Sequence, residues 1–405
     1  MSGSMLSVAE ARDRILAGLR PMPAETLPLA QAWGRILATD IRARLTQPPL
    51  DVSAMDGYAL RAVDGTLDAR LRVIGSAPAG HPFAGTVNAG EIVRLFTGSV
   101  VPAGADAILL QEDATRDDDI VVVNEAVLTN RHIRRAGQDF THGDILIRAG
   151  RKLTSRDIGL AASGNHPWLA VHRRPRIAIL ATGDEIALPG EPIPPGGIIS
   201  SNAHALAALV RAAGGDPVVL PIAADTTEAI SAVADAVVGM DMLVTTGGAS
   251  VGDHDLVIAG LTQRGLTVDF WKIAMRPGRP LMHGMLGPVP VLGLPGNPVS
   301  ALVCAILFLL PALARLGGLP AGPPPTMQAV LGGDLAANDW RADHLRATLG
   351  AREDGALIAT AFGVQDSAML RRLASADALI LRAPHAPALR AGAAVEIIRL
   401  DSLGI

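Results

Sequence analysis

The spacing of apolar residues changes character twice along the chain. Residues 7–19, SVAEARDRILAGL, carry apolar side chains at helical spacing behind Ser7, a natural N-cap. From about residue 30 to 150 the apolar runs shorten. RLRVIGS, EIVRLFTGS, DAILLQED and DIVVVNEAV are separated by Gly, Pro and Asp, which predicts a β-rich region. SRDIGLAASGN, 155–165, predicts a short helix capped by Ser155 and closed by Gly164.

After residue 174 the pattern alternates. RIAILATGDE, DPVVLPIAAD, MDMLVTTGG and VPVLGLPG read as buried strands. Between and after them SNAHALAALVRAAGG, TTEAISAVADAVVG, DLVIAGLTQRG and NPVSALVCAILFLL read as helices. Asn202 and either Asp225 or Thr226 are expected as N-caps, with Gly214 closing the first of these helices. Strands alternating with helices of this length predict a doubly wound, mainly parallel α/β domain. AGPPPT, 321–326, reads as a linker, and the short runs beyond it predict a small separate β domain.

With 405 residues the chain should hold two to four domains, and 49% hydrophobic against 18% charged residues supplies substantial cores. The net charge of −4 argues against a nucleic-acid surface. The N-terminus lacks a basic, then apolar, leader. The most apolar stretch, Val299 to Ala314, is shorter than the roughly 20 residues of a membrane span and contains Pro311, expected to interrupt it. A buried helix, no membrane contact and a cytoplasmic location are expected. The single cysteine, Cys304, sits in this run and reads as a buried, inert thiol.

In open α/β sheets ligands bind beyond the carboxyl ends of the strands. Three segments arrive there: ATGDE with Asp184 and Glu185, TTGGASVGDHD from Thr245 to Asp255, and GLPGNPVS. In the last, Asn297 is a natural N-cap and Pro298 a natural first helical residue. Gly293 and Gly296 would let the backbone approach a ligand. The free N–H groups of the helix would favour an anion, such as phosphate. WKIAMRPGRP adds Lys272, Arg276 and Arg279 around a Pro-Gly turn, as cations for phosphate.

TTGGASVGDHD contains Gly248, Ser250 and Gly252 in G-x-S-x-G order, the pattern of a nucleophile elbow. In a chain with 43 Gly the match carries little weight. The triad it would need, Ser250, Asp269 and His283, puts the acid and base on neighbouring strands, and no upstream oxyanion loop is present. Ser250 reads better as a phosphate contact, with Asp253 or Asp255 facing Mg²⁺ or another cation.

These segments, together with PPLDVSAMDGYALRA, RLFTGSVVPAGADAILLQED, RRAGQDFTHGDILIRAG, PGRPLMHG and DSAMLRRLASADALILRAP, resemble the MoeA family, which includes the gephyrin E domain. The resemblance covers nearly the whole chain. It implies four parts: an elongated linker and dimerisation lobe, 1–50 with 140–173; a β-rich lobe, 51–139; a molybdopterin-binding α/β domain, 174–320; and a C-terminal, barrel-like β domain, 327–405. It implies insertion of molybdenum from molybdate into adenylylated molybdopterin, with Mg²⁺-dependent release of AMP.

The resemblance also implies a homodimer whose site joins the α/β domain of one subunit to the SAMDGYA lobe of the other. By motif position it places catalytic roles on Asp56, Thr97, Asp139, Glu185, Asp225 and Asp255. Glu185, Asp225 and Asp255 would face the metal. Gly247, Gly248, Ser250, Gly252, Lys272, Arg276, Arg279, Pro295, Gly296, Asn297 and Pro298 would contact substrate. Arg276 and Arg279 stand where many members have lysine, and His254 in GDHD departs from the commoner pattern. Transient contact with other cofactor-biosynthesis proteins is a further implication. The rival readings are a scaffold of the gephyrin E type and, for the α/β unit alone, a MogA-type adenylyltransferase or CinA-like hydrolase. The SAMDGYA lobe and the C-terminal domain favour the MoeA type.

Overall fold

The computed structural model describes residues 5–247 and 256–403. The catalytic and phosphate candidates Gly248, Ser250, Gly252, Asp253, His254 and Asp255 lie outside the described residues.

The α/β domain is built on a six-stranded sheet. Its order is Asp216–Val219, Arg176–Ala181, Met242–Thr246, Val289–Leu294, Met282–Leu286 and Leu266–Trp271. The first four strands are parallel and the last two are antiparallel. Alternate residues serve opposite faces: Ile177, Ile179 and Val244 join one core, while Ala178, Leu180 and Leu243 join the other. From Arg176–Ala181 the chain goes first to one neighbouring strand and then to the other. A crevice therefore opens beyond the carboxyl ends of Arg176–Ala181 and Met242–Thr246.

The expected helix ends are mostly found, with corrections. Ser7 closes a capping box with Glu10, and Gly164 and Thr226 take their expected places. Thr154, not Ser155, caps the helix Ser155–Ser163, because Asp157 three residues on completes its capping box. Asn202 is the first helical residue, not the cap. Pro311 does not break the apolar helix, which runs from Pro298 to Leu316. A π turn, Ala305–Leu309, precedes the proline and absorbs the steric conflict its ring would otherwise create. By length and composition this helix would cross a membrane, yet 83% of its apolar window is buried inside the protein. Cys304 lies on it, fully buried, and burial pushes its thiol pKa far up.

Residues 51–139 contain a curled six-stranded sheet with a core on each face. The lobe made from the two segments around it is tied by strand Ala24–Pro28 on Trp168–His172 and by Ile41–Arg42 on Ile145–Ile147. The N-terminal helix Val8–Ala17 packs elsewhere: Ala11, Ile15 and Leu16 enter the α/β core against the long apolar helix.

Beyond residue 326, five strands close a barrel in the order Ala342–Ala351, Leu357–Ala361, Met327–Leu331, Ala394–Arg399 and Ala378–Arg382, which returns to the first. Small residues such as Ala329, Ala347, Ala359 and Ala378 fill its interior. The barrel is less separate than its linker implied. Leu379 and Ile398, on its outer wall, belong to the α/β core, and strand Met275–Arg276 pairs with Ala342–Ala351.

Candidate functional site

A cavity of about 720 Å³ lies at the crevice where the strand order reverses. All three segments expected at the strand ends reach it, through Thr182 and Glu185, Thr246 and Gly247, and Gly296 to Pro298. Ile186, Ile198 and Ile199 form an apolar wall, and Ala368 and Leu370 arrive from the C-terminal domain.

Hydrogen bonds lock these loops together. The Asn202 side-chain amide donates to Thr246 Oγ1 at 2.8 Å and to the Gly296 carbonyl at 2.7 Å. Thr246 Oγ1 in turn donates to the carbonyl of buried Pro295 at 3.2 Å. Gly247 has φ of +95°, and a Cβ there would collide with the Thr182 carbonyl. Gly296 sits against Gly247, 3.5 Å from its Cα to an added Cβ. Gly293, expected to serve a ligand, is buried in its strand against Met282 and serves internal packing.

The N-terminus of the long helix is less free than expected. Pro298 has no N–H, and Val299 N–H donates to the Ser367 carbonyl at 3.1 Å. Asn297 is the backbone N-cap, but its side chain donates to Ser367 Oγ at 3.0 Å rather than closing the first turn. The C-terminal segment 365–370 thus occupies part of this helix end. Among the described residues the Thr182 hydroxyl, buried at the cavity, has no hydrogen-bond partner.

The acids fall into two separate groups. Glu185 lines the cavity. Asp225 stands beside it, and its backbone N–H donates to Asp184 at 3.0 Å. Burial first, then the charges of Asp184 and Glu185, raise the Asp225 pKa, although the backbone of Asp184, donating to the Asp225 carboxyl, works the other way. Carboxylate oxygens crowded in this way suit a hard cation. Among the described residues, however, no three His, Cys, Asp or Glu side chains are placed to hold a metal.

A raised pKa means that the fold prefers protonated Asp225. Its stabilising contribution is present in acid, below the unfolded pKa, and is lost as pH rises through the folded one. Asp225→Asn should therefore raise the melting temperature at neutral pH, with little change near about pH 4, where Asp is half neutral anyway. Calorimetry at the two pH values checks this, and a lower melting temperature at neutral pH would oppose it.

Asp56 and Thr97 form the second group. Asp56 accepts from the Thr97 N–H at 2.7 Å and from its hydroxyl at 2.8 Å, bonds that hold the carboxyl below its usual pKa. The two motifs are zipped together by backbone bonds between Ser53 and the Gly98–Ser99 turn. Arg94 stacks over Tyr58 and Phe96 beside them. Asp139 is exposed, and its N–H donates to the Gln47 carbonyl at 3.1 Å. No residue of 51–139 lines the cavity, so one chain does not unite Asp56, Thr97 and Asp139 with Glu185 and Asp225.

The expected cations do not line the cavity either. Lys272, at φ +104°, places its ammonium 4.2 Å from the Trp271 ring centroid. Arg279 lies over Trp340. Arg276 is engaged by Asp343 and Asp339 of the C-terminal domain. The hydrolase triad gains nothing: His283 and Asp269 do sit on paired strands, 3.4 Å apart, but Asp269 is also held by Arg14, and both lie on the sheet's antiparallel edge.

Arg346 was missed by sequence reasoning. It is fully buried, and its Nε and both terminal nitrogens lack hydrogen-bond partners among the described residues. A guanidinium stays charged in proteins, and an isolated buried charge costs on the order of several kcal/mol. Burial pushes its pKa down, Asp366 supports its charge and Arg372 opposes it. Its backbone N–H and carbonyl both bond the Gln365 side chain at 3.0 Å. The Arg346 backbone is thus tied to the segment that carries Ala368 and Leu370 to the cavity.

Comparison with known proteins identifies the family. Residues 6–164 match the MoeA N-terminal region (domain I and II), 178–315 the "Probable molybdopterin binding domain", and 328–400 the MoeA C-terminal region (domain IV). The chain is 36% identical to molybdopterin molybdenumtransferase 2 of Mycobacterium tuberculosis, over 93% of this chain and 95% of that one. It is 33% identical to the molybdopterin molybdenumtransferase of Haemophilus influenzae, over 97% and 98%. The crystal structure of the molybdopterin biosynthesis MoeA protein of Pyrococcus horikoshii superposes with a TM-score of 0.85 at 28% identity, covering 98% of this chain and 99% of that one. With three successive domain matches, a cavity at the sheet's switch point and full-length relatives of one activity, the chain belongs to the MoeA family and is a transferase of molybdenum cofactor biosynthesis.

Proposed function

We propose that this enzyme transfers molybdenum from molybdate to adenylylated molybdopterin and releases AMP, in a site shared across a homodimer. The observation that carries the reading is the cavity. It combines an apolar wall, a buried hydroxyl with no partner among the described residues and an acidic rim, which together suit a flat heterocycle bearing phosphate and a cation.

In this reading Gly247 and Gly296 admit the phosphates, and Thr182 and Asn297 orient them. The Ile186–Ile199 wall excludes water from the pterin side. Glu185 and Asp225, with Asp255 on the adjoining segment, would hold Mg²⁺. When bound, Mg²⁺ neutralises phosphate charge and makes the phosphoanhydride open to water. Asp56, kept ionised by Thr97, would reach the cavity from the second subunit. The enzyme would act in the cytoplasm, in passing contact with other enzymes of the same biosynthesis.

The test is AMP release, followed by chromatography, from adenylylated molybdopterin with Mg²⁺, with and without molybdate. Release should be fast only when both substrates are present, because holding them together supplies much of the rate. Equal rates without any oxyanion would sink the coupled mechanism. No AMP under any oxyanion, with peptide binding instead, would favour the scaffold. Tungstate in the same assay reports metal preference.

A further inference from the structure

Asn202 is the first residue of the helix Asn202–Ala212. Asparagine is a poor helix former, and here it does not cap either, so its side chain serves something else. Its Nδ2 donates to the Gly296 carbonyl at 2.7 Å and to Thr246 Oγ1 at 2.8 Å. The partners fix the direction of both bonds. A carbonyl only accepts, so an amide turned the other way would set oxygen against oxygen at 2.7 Å. Thr246 Oγ1 must accept as well, because its own proton goes to the Pro295 carbonyl at 3.2 Å.

Both amide protons are therefore committed, and what remains of the side chain is Oδ1. Among the described residues Oδ1 accepts no hydrogen bond, and it is not one of the fully buried unpartnered atoms, so it is open to the cavity that Asn202 lines. The hydroxyls of Thr182, Ser200 and Ser201, which also line the cavity, can each turn to donate or accept. Oδ1 can only accept, and its amide cannot turn without losing both bonds. It is a fixed acceptor in a cavity that also carries the apolar Ile186, Ile198 and Ile199. Such an atom favours a ligand that brings an N–H. A ligand without one leaves the acceptor dehydrated and unpaired.

We infer that Asn202 is a specificity-determining residue of this site: its Oδ1 accepts a hydrogen bond from the exocyclic amine of the bound heterocycle. The inference rests on the function proposed above. Adenylylated molybdopterin carries such an amine on the pterin and on the adenine, and Oδ1 reads the same chemistry in both. The amide nitrogen does not meet the ligand; it holds Oδ1 in place through Thr246 and Gly296. A free asparagine amide reads a base by donating and accepting together, whereas this locked one tests for the amine alone.

Binding to the full-length protein is measured by isothermal titration calorimetry with two ligand pairs. The first is AMP and purine riboside 5′-monophosphate, which differ only in the 6-amine. The second is 6-hydroxymethylpterin and the same pteridinone without its 2-amine. The wild type should bind the amine-bearing member of one pair about 10-fold more tightly, the scale of one hydrogen bond to an otherwise unpaired acceptor. The pair that shows the preference names the heterocycle. Asn202→Ala should abolish that preference. Any loss caused by removing the bridges to Thr246 and Gly296 falls on both members alike, so the ratio isolates the contact. Asn202→Asp keeps an oxygen for the amine but sets a carboxylate against the Gly296 carbonyl. It should melt lower than the wild type and retain the preference.

If Asn202→Ala weakens both members equally and leaves the preference intact, Asn202 only braces the loops and the inference is wrong. Should that variant not fold, Asn202→Asp decides: a folded protein without the preference overturns the inference equally. A wild type that binds both members of each pair alike also overturns it, and AMP release in the molybdate assay would then leave the functional reading standing. A wild type that binds none of these ligands and releases no AMP refutes that reading, and the inference falls with it.

Discussion

Gly247→Ala should cut AMP release at least about 100-fold, the effect of losing roughly 2.7 kcal/mol of transition-state stabilisation, and should lower the melting temperature. Two costs add at this position. Its φ of +95° is one that an alanine rarely adopts, at a penalty of about 1–2 kcal/mol. The new methyl would also overlap the Thr182 carbonyl, which is backbone and cannot rotate away. Relief requires the Thr182 and Gly247 turns to separate, and Gly296 lies against the same spot. The cavity would lose its three-loop geometry, and the Asn202 bridge to Thr246 and Gly296 would stretch.

Gly214→Ala is the control. It has φ of +86° but open space around the added methyl, so it carries the backbone penalty alone. It should lower stability modestly and leave AMP release near wild type. Scanning fluorimetry and the AMP assay on both variants decide the matter. Equal activity losses in the two would show that strain, not cavity geometry, governs the effect.

Mixed subunits should restore activity that neither parent has. Asp56→Ala and Glu185→Ala homodimers should each be nearly inactive if both acids serve one site. Asp56 stands with Thr97 on the 51–139 lobe, and Glu185 lines the α/β cavity, with no residue of that lobe reaching it in one chain. If the site is shared across a two-fold dimer, each mixed dimer contains one site with both acids mutated and one with both intact. Random exchange makes half the dimers mixed, so about a quarter of all sites should be wild type, a consequence of two-fold symmetry. Activity of about 25% of wild type, after exchange verified by mass spectrometry, is the expected result. Activity no higher than either parent would place the two acids in different functions.

Much of this protein is written locally. Helix starts at Ser7, Thr226 and Asn297, the alternating strands of the α/β sheet and the short apolar runs of the barrel follow from periodicity and capping, which neighbours along the chain settle among themselves. So do the three loops at the strand ends, because strand, Gly-rich turn and helix follow one another directly. The family motifs add an expectation of which acids serve the site, Asp56 and Glu185 among them.

What periodicity does not encode is which element covers a buried face, or which charge answers another across the fold. Val8–Ala17 has an ordinary amphipathic pattern, and only tertiary packing sends it to the α/β core. Pro311 reads as a breaker until the preceding π turn is seen. Asn202 reads as a cap, while the structure turns its amide toward Thr246 and Gly296. Arg276 and Asp343 are 67 residues apart, and their pairing exists only because the barrel docks on the sheet. Arg346 looks in sequence like one polar residue in an alternating strand. Docking removes water from its guanidinium and, among the described residues, leaves its nitrogens without hydrogen-bond partners, a desolvation that no local pattern records.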